Sequence, residues 1–343
     1  MVLGGVGDAI GYKNGEWEFC RSGRRIHEHL EQLGGLEKIV VNPRKWMVSD
    51  DTVMHIATAE ALTSDWQDDV EKLYSTFAQQ YKECMKDMAG RAPGLTCGAF
   101  IGRLRPGRPK GYVIEFNPRG GGCGAAMRSA PIGLLYWKPE QINELVAISI
   151  ESGRMSHNHP TGYLGSLATA LFVSYSVQEK PLKEWGAGLL STLSVALEYV
   201  EKEGRDVKEN KENWGYFKSQ WTKYLELRGI LDGKSEPTFP EKYGVEERDA
   251  FYKSVSFAGT GGASGHDAPM IAYDALLSSK DWNELCLRSM LHGGDSDSTG
   301  IIAAACWGAM HGYEGVPEGH YKNLEYIDRL QVLAKQLYQK AEK

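Results

Sequence analysis

Cysteine is scarce in this chain of 343 residues, with six in all. None of Cys20, Cys84, Cys97, Cys123, Cys286 and Cys306 belongs to a C-x-x-C pair, so a disulfide-dense scaffold and a zinc knuckle are both excluded. A reduced intracellular protein is the reading that remains. The start lacks the charged n-region, apolar h-region and cleavage site of a secretory signal, so a cytoplasmic location is expected. No apolar run reaches the ~18–20 residues of a membrane span. The longest, Gly300 to Met310, reads as a buried helix. A basic excess is missing too. Lys and Arg number 39 against 45 Asp and Glu, for a net charge of −6, which argues against nucleic acid as a partner. Strand signals are few, Tyr112 to Phe116 being the best. Without βαβ alternation, a Rossmann or barrel architecture is not expected. No repeat of fixed period occurs.

What is present is an ordinary globular balance, 42% hydrophobic and 24% charged, enough to bury a large core. The periodicity is helical nearly throughout. Val70, Leu73, Tyr74, Phe77, Tyr81 and Cys84 follow the stripe of an amphipathic helix. Trp214, Phe217, Trp221 and Tyr224 repeat it, and Leu330, Leu333, Ala334 and Leu337 form a C-terminal stripe. Pro139 sits where a first helical turn tolerates it. Ser166 to Val177 and Leu189 to Val200 are apolar and long enough for helices. Glu201 to Asn213 reads as a charged surface loop or frayed end. The stretch from there to Pro240 reads as a helical excursion from the main body. Glycine is abundant, 40 residues, about 12% against a typical ~7%, and it clusters in short loops of the kind that approach ligands. The expectation is an all-α fold, one compact domain over residues 1–343, with glycine-rich loops gathered on one side.

Two acidic clusters carry the chemistry. The first is Ser49-Asp50-Asp51-Thr52, followed at once by the helical pattern of Val53, Met54, Ala57, Ala61 and Leu62. The second is Gly293-Gly294-Asp295-Ser296-Asp297-Ser298-Thr299, followed by Ile301, Ile302, Ala304 and Ala305. Both place acids and hydroxyls at a helix start, where capping and the helix dipole account for them singly. A cap needs one such residue, however. Four carboxylates in two half-turns repel one another unless a cation lies between them. Mg²⁺ and Mn²⁺ prefer such oxygen ligands, and with so few His and Cys motifs zinc is the weaker fit. If the two helix starts meet, they form an all-oxygen site for one or two ions. About 245 residues separate them in the chain.

These clusters stand among further blocks. They are Gly7-Asp8-Ala9-Ile10-Gly11-Tyr12, Gly121-Gly122-Cys123-Gly124-Ala125-Ala126-Met127-Arg128, Gly153-Arg154-Met155-Ser156-His157-Asn158-His159-Pro160-Thr161-Gly162 and Gly265-His266-Asp267-Ala268-Pro269-Met270. In this order, and over essentially the whole chain, they resemble the ADP-ribosylglycohydrolase superfamily, most closely its ADP-ribosylarginine hydrolases. The superfamily carries several more residues before the first glycine block, whereas here Met1 falls inside the first helix. The resemblance implies an all-helical fold with a binuclear Mg²⁺ centre. Its metal ligands would be Ser49, Asp50, Asp51, Asp295, Asp297 and Ser298, the four aspartates also being the catalytic set. Glu18 matches a glutamate on a mobile loop near the metals, though a solvated loop acid would look the same. Some relatives replace acids of these clusters, and this chain retains all four.

The same resemblance assigns ADP-ribose contacts. Gly121, Gly122, Cys123, Gly124 and Ala125 offer backbone N–H groups to a diphosphate, with a helix expected to begin at Ala125 and aim its positive end at the anion; a plain surface turn uses the same residues. His157 matches a histidine that contacts the ribose. Phe257, ahead of Gly259 and Gly261, matches an aromatic that stacks on adenine. Gly94, Leu95 and Thr96 correspond to a substrate-lining loop. Ser264-Gly265-His266-Asp267 lacks a G-x-S-x-G elbow, and Asp267 reads as a helix cap. The implied activity is Mg²⁺-dependent removal of ADP-ribose from ADP-ribosylated arginine side chains, with Asp51 or Asp297 as base. The expected partners are ADP-ribosylated proteins and the ADP-ribose product, acted on by a monomer. The alternatives are a non-catalytic ADP-ribose binder or structural protein on the same fold, and a hydrolase of serine or O-acetyl linkages.

Overall fold

The computed structural model describes residues 1–66 and 69–342, and these form α-helices and short 3₁₀ turns. In chain order the helices are α1 Val2–Tyr12, α2 Gly23–Gln32, α3 Asp50–Thr63, α4 Val70–Cys84, α5 Leu95–Ile101, α6 Ala130–Leu135, α7 Ile142–Arg154 and α8 Pro160–Val177. They continue as α9 Trp185–Glu203, α10 Val207–Arg228, α11 Val245–Val255, α12 Asp267–Ser278, α13 Trp282–Ser289, α14 Ser296–His311, α15 Glu318–Tyr321 and α16 Ile327–Ala341. The all-α expectation holds.

The burial pattern sorts the helices into an inner and an outer set. Every residue of α1 is buried, as are Pro160–Ser176 of α8 and Ser296–Trp307 of α14. A helix that is apolar or small on all sides has no face to offer water and sits inside. Around them, α4, α10 and α16 bury one stripe each, Leu73/Phe77/Tyr81, Phe217/Trp221/Leu225 and Leu330/Leu333/Leu337 respectively. All of these stripes join one contiguous hydrophobic cluster.

The crossing of α1 and α14 is set by absent side chains. A Cβ on Gly7 would stand 2.2 Å from the Gly300 carbonyl oxygen, and one on Gly11 2.3 Å from that of Ser296. Only glycine allows the two backbones to lie this close. The contact fixes the start of α14 beside the end of α1. Since α3 also packs on α1 and α14, the two acidic helix starts are carried on one rigid core.

Four local expectations are corrected. Tyr112 to Phe116 is irregular backbone, and only isolated bridges occur among the described residues; Tyr112 and Ile114 are buried as single anchors rather than as a pleated face. Most of Glu201 to Asn213 is helix, the end of α9 and the start of α10, joined by a left-handed Gly204 and Asp206. The α10 segment is no excursion: its aromatic stripe packs on α8 and α9. Finally, no α-helix begins at Ala125; a 3₁₀ turn, Cys123–Ala125, stands there and α6 starts five residues later.

Candidate active site

The starts of α3 and α14 meet. Ser298 Oγ donates to Asp51 Oδ2 at 2.9 Å, across 247 residues of sequence. Capping accounts for the acids only in part, Asp297 Oδ1 accepting the Ser298 N–H at 3.0 Å. At α3 the orphan N–H groups go elsewhere: Ser49 Oγ accepts from the Asp51 N–H at 3.1 Å, and Asp8 of α1 accepts from the N–H groups of Ser49 and Thr52 and from the Thr52 hydroxyl. At α14 the N-cap residue is Asp295, yet its side chain makes no capping bond. It accepts instead from the Cys123 thiol at 3.2 Å. The acids of both clusters are left facing one another.

Glu18 joins them through its loop. The next residue, Phe19, has φ +55° and donates its N–H to the Gly294 carbonyl at 2.7 Å, directly before Asp295. Gly294 itself has φ +156°, and a Cβ there would lie 2.3 Å from the Gly261 oxygen. Carboxylate oxygens of Glu18, Asp295 and Asp297 lie within 4.8 Å of one another.

Crowding burial and like charge together disfavours ionisation. Burial, then the charges of Asp8 and Asp295, push Asp50 up to about 7. Burial and then Asp295 and Asp50 push Glu18 up to about 8. Asp51 and Asp297 are held well above the usual carboxylate range, by burial first and neighbouring acids second. Asp295 is raised by burial, and Asp8 rises to about 6 for the same reason despite its hydrogen bonds. Such a donor set is all oxygen, and a hard divalent cation would relieve its crowding, the chemistry Mg²⁺ and Mn²⁺ favour.

Two cavities open over this centre. The smaller, about 210 Å³, is lined by Glu18, Asp50, Asp51, Asp295 and Ser298 on its acidic side. Gly94, Leu95, Thr96, Gly122, Cys123, Gly124 and His157 line the rest. The larger, about 700 Å³, adjoins it through Phe19 and Gly122 and is walled by Phe257, Tyr216, His159, Asn213 and Gly121. Phe257 is 72% exposed, so its ring is available to a ligand, and Tyr216 meets it edge-on with centroids 5.9 Å apart.

Some expected site residues lie outside these walls. Ser49 is fully buried, its hydroxyl engaged in the cap. Asp297 reaches the centre through Glu18 and Asp295. Ala125 is buried in its 3₁₀ turn. Gly259 borders a separate groove beside Lys253. Gly261 is buried, and its carbonyl accepts the Asp295 N–H at 2.9 Å, fixing the start of α14. Asp267 lies in the first turn of α12 rather than at its cap, and its Oδ1 accepts the Ser264 N–H, holding the glycine-rich loop beside the larger cavity.

Sequence reasoning missed Asp8, Phe19 and Tyr216. Asp8 did carry a signal, an acid inside an otherwise apolar helix, where burial demands partners. Tyr216 carried none, because it lies off the aromatic stripe of α10.

With this geometry in place, the comparisons with known proteins are specific. The family described as ADP-ribosylglycohydrolase matches residues 1–343. The chain is 46% identical to ADP-ribosylhydrolase ARH1 of Dictyostelium discoideum over 98% of its own length and 92% of that protein. It is 27% identical to ADP-ribosylhydrolase ARH3 of Mus musculus, covering 84% of this chain and 76% of that one. Among solved structures, a chain of an ADP-ribosylglycohydrolase-related protein complex superposes with a TM-score of 0.59 at 18% identity, over 99% of this chain and 96% of that one, which shows the shared fold.

Proposed function

The chain belongs to the ADP-ribosylglycohydrolase family, whose membership supports hydrolysis of ADP-ribosyl linkages, and on that premise we propose a Mg²⁺-dependent hydrolase that removes ADP-ribose from ADP-ribosylated arginine side chains of proteins. The observation that carries the reading is the convergence of the two acidic helix starts, joined by the Ser298–Asp51 bond, at the floor of a cavity continuous with an aromatic one. The similarity to ADP-ribosylhydrolase ARH1 supports hydrolysis of an ADP-ribosyl linkage, and the choice of arginine rests on the resemblance of the two acidic clusters.

Asp50, Asp51, Asp295 and Asp297, with Ser49 and Ser298, would hold two Mg²⁺ ions, Mn²⁺ being a possible substitute; these ions supply Lewis-acid binding of sugar oxygens and a lowered pKa for water. The remaining steps belong to the chain's own residues. Phe257, Phe19 and Tyr216 bind the adenine in the larger cavity by stacking and edge contacts. The Gly121–Gly124 loop lines both cavities and would border the path of the diphosphate, with the Cys123 N–H already donated to the Ala263 carbonyl. The distal ribose then reaches the acidic floor.

Cleavage of the bond between ribose C1 and the guanidino nitrogen builds positive charge at C1, which the surrounding carboxylates stabilise. Asp51 or Asp297 accepts the proton of the attacking water. The leaving group departs as neutral guanidine, since the guanidinium already carries the proton that an O-glycoside would need to be given.

Purified protein with Mg²⁺ is expected to release ADP-ribose from an ADP-ribosylated arginine substrate, and faster than from serine or O-acetyl linkages assayed alongside. Preference for either of those would overturn the arginine assignment. Binding of ADP-ribose without turnover of any linkage would replace the enzyme by a binder.

A further inference from the structure

His157 stands in the smaller cavity, and its ring is held from behind. Arg128 is fully buried, its guanidinium 4.4 Å from the centroid of Tyr81. Its Nη1 donates to Ser156 Oγ at 2.7 Å and to the Gly124 carbonyl at 2.9 Å, while Nη2 donates to the Ser152 carbonyl at 2.7 Å. Ser156 Oγ in turn lies 2.8 Å from His157 Nδ1.

The direction of these bonds follows from donor arithmetic. A guanidinium has donors only, so Ser156 Oγ accepts from it and has one proton left to give. The acceptors near that proton are His157 Nδ1 and the weaker sulfur of Cys97. Accepting from a cation strengthens the hydroxyl as a donor, and the imidazole nitrogen is the better base. Burial, and next the charge of Arg128, hold the imidazole neutral, its pKa lowered to about 3. One ring nitrogen therefore carries the single proton.

We infer that Arg128 and Ser156 are positioning residues that lock His157 in the Nε2–H tautomer, so that it presents a fixed hydrogen-bond donor to an oxygen of the bound ADP-ribose. The identity of the ligand rests on the function proposed above; the tautomer does not.

The glycines around His157 are independent support. A Cβ on Gly122 would lie 3.3 Å from Nε2, and one on Gly124 would lie 2.7 Å from Cε1 and 3.2 Å from Nε2. Both would press on the Nε2–Cε1 edge of the ring. Among the described residues Nε2 has no partner within the protein, whereas Nδ1 has one. The glycine loop thus brings no side chain against the one nitrogen that the relay from Arg128 leaves protonated.

Long-range ¹H–¹⁵N correlation spectra of histidine-labelled protein read the tautomer directly, with His157 assigned by the signals lost in His157→Gln. The wild type is expected to show a pyridine-like Nδ1 and a pyrrole-like Nε2. In Ser156→Ala the two forms should mix, and the calorimetric affinity for ADP-ribose with Mg²⁺ should fall about 3- to 10-fold, the loss of one net hydrogen bond. In the His157→Gln background, Ser156→Ala should add nothing.

A protonated Nδ1 in the wild type would overturn the inference with no variant required, and so would additive losses in the double variant. The outcome separates from that of the proposed activity. Turnover of the arginine linkage by a protein with an Nδ1–H tautomer would sink this inference alone. An Nε2–H tautomer in a protein that hydrolyses nothing would sink the activity alone.

Discussion

The two cavities are neighbours built on opposite principles. The smaller is floored by carboxylates at the starts of core helices, Asp51 and Asp295 being held by bonds from Ser298 and Cys123 that reach across the molecule. The larger is walled by rings and loops, with Phe257 mostly exposed and Phe19 half out of the protein on a left-handed backbone turn. Charge that must act at one point needs a rigid frame, because electrostatic stabilisation falls away when donors and acceptors have to reorganise. An apolar ring tolerates looseness, because stacking is broad in angle and distance. The contrast teaches that losses in the acidic cavity should appear in kcat and losses in the aromatic one in KM.

The largest expected effect lies at the acids. Asp50→Ala and Asp297→Ala should each lower kcat about a thousandfold, equivalent to ~4 kcal/mol of transition-state stabilisation, with ADP-ribosyl-arginine hydrolysis as the measurement. Retained turnover in the double variant would break the comparison at its root. Next comes the frame behind them. Asp8→Ala removes the acceptor of three donors in the α1–α3 contact and should cost about 2–4 kcal/mol of stability in denaturant titration. A neutral result would mean that the acidic floor does not depend on α1.

Phe257→Ala and Tyr216→Ala should raise KM about tenfold with little change in kcat, stacking on a base contributing ~1–3 kcal/mol. A fall in kcat alone would mean that the aromatic cavity is part of the reacting frame after all.

The smallest effect sharpens the comparison by pH. Asp50 and Glu18 have folded values raised to about 7 and about 8. A raised folded pKa means that the folded state binds the proton more tightly than the unfolded one. Its stabilisation is therefore full below about pH 4 and is lost as pH rises through 7 to 8. Without divalent ions the protein should melt a few degrees lower at pH 8 than at pH 6. Mg²⁺ should restore more of the melting temperature at pH 8, because its binding competes with protons. An equal Mg²⁺ shift at both values would argue that the carboxylates do not hold the ion.

Much of this was legible in the chain alone. The Val70–Cys84 stripe is α4 to the residue, and both acidic clusters do open helices, because apolar spacing and capping residues are local properties. The acids read either as caps or as ligands, however, and that ambiguity was real. At α3 Ser49 and Asp8 do the capping, and at α14 the Asp295 side chain makes no capping bond, which supports the ligand reading proposed above. Tyr112–Phe116 misled because β-branched and aromatic residues satisfy a strand pattern and a set of single buried anchors equally well.

The sequence by itself determined the amphipathic stripes of α4, α10 and α16, that the Gly300–Met310 run is largely buried, and that two helices begin with more acid than a cap requires. Those properties depend on residues within a few positions of one another. Tertiary structure alone decided that Asp51 and Ser298 touch, that Glu18 is turned toward Asp295, and that Arg128 and Ser156 stand behind His157. Apart from the neighbouring Ser156 and His157, those contacts span distances in the chain over which no local preference acts. Each rests on close approaches, such as Gly7 on Gly300, that exist only once the core has packed.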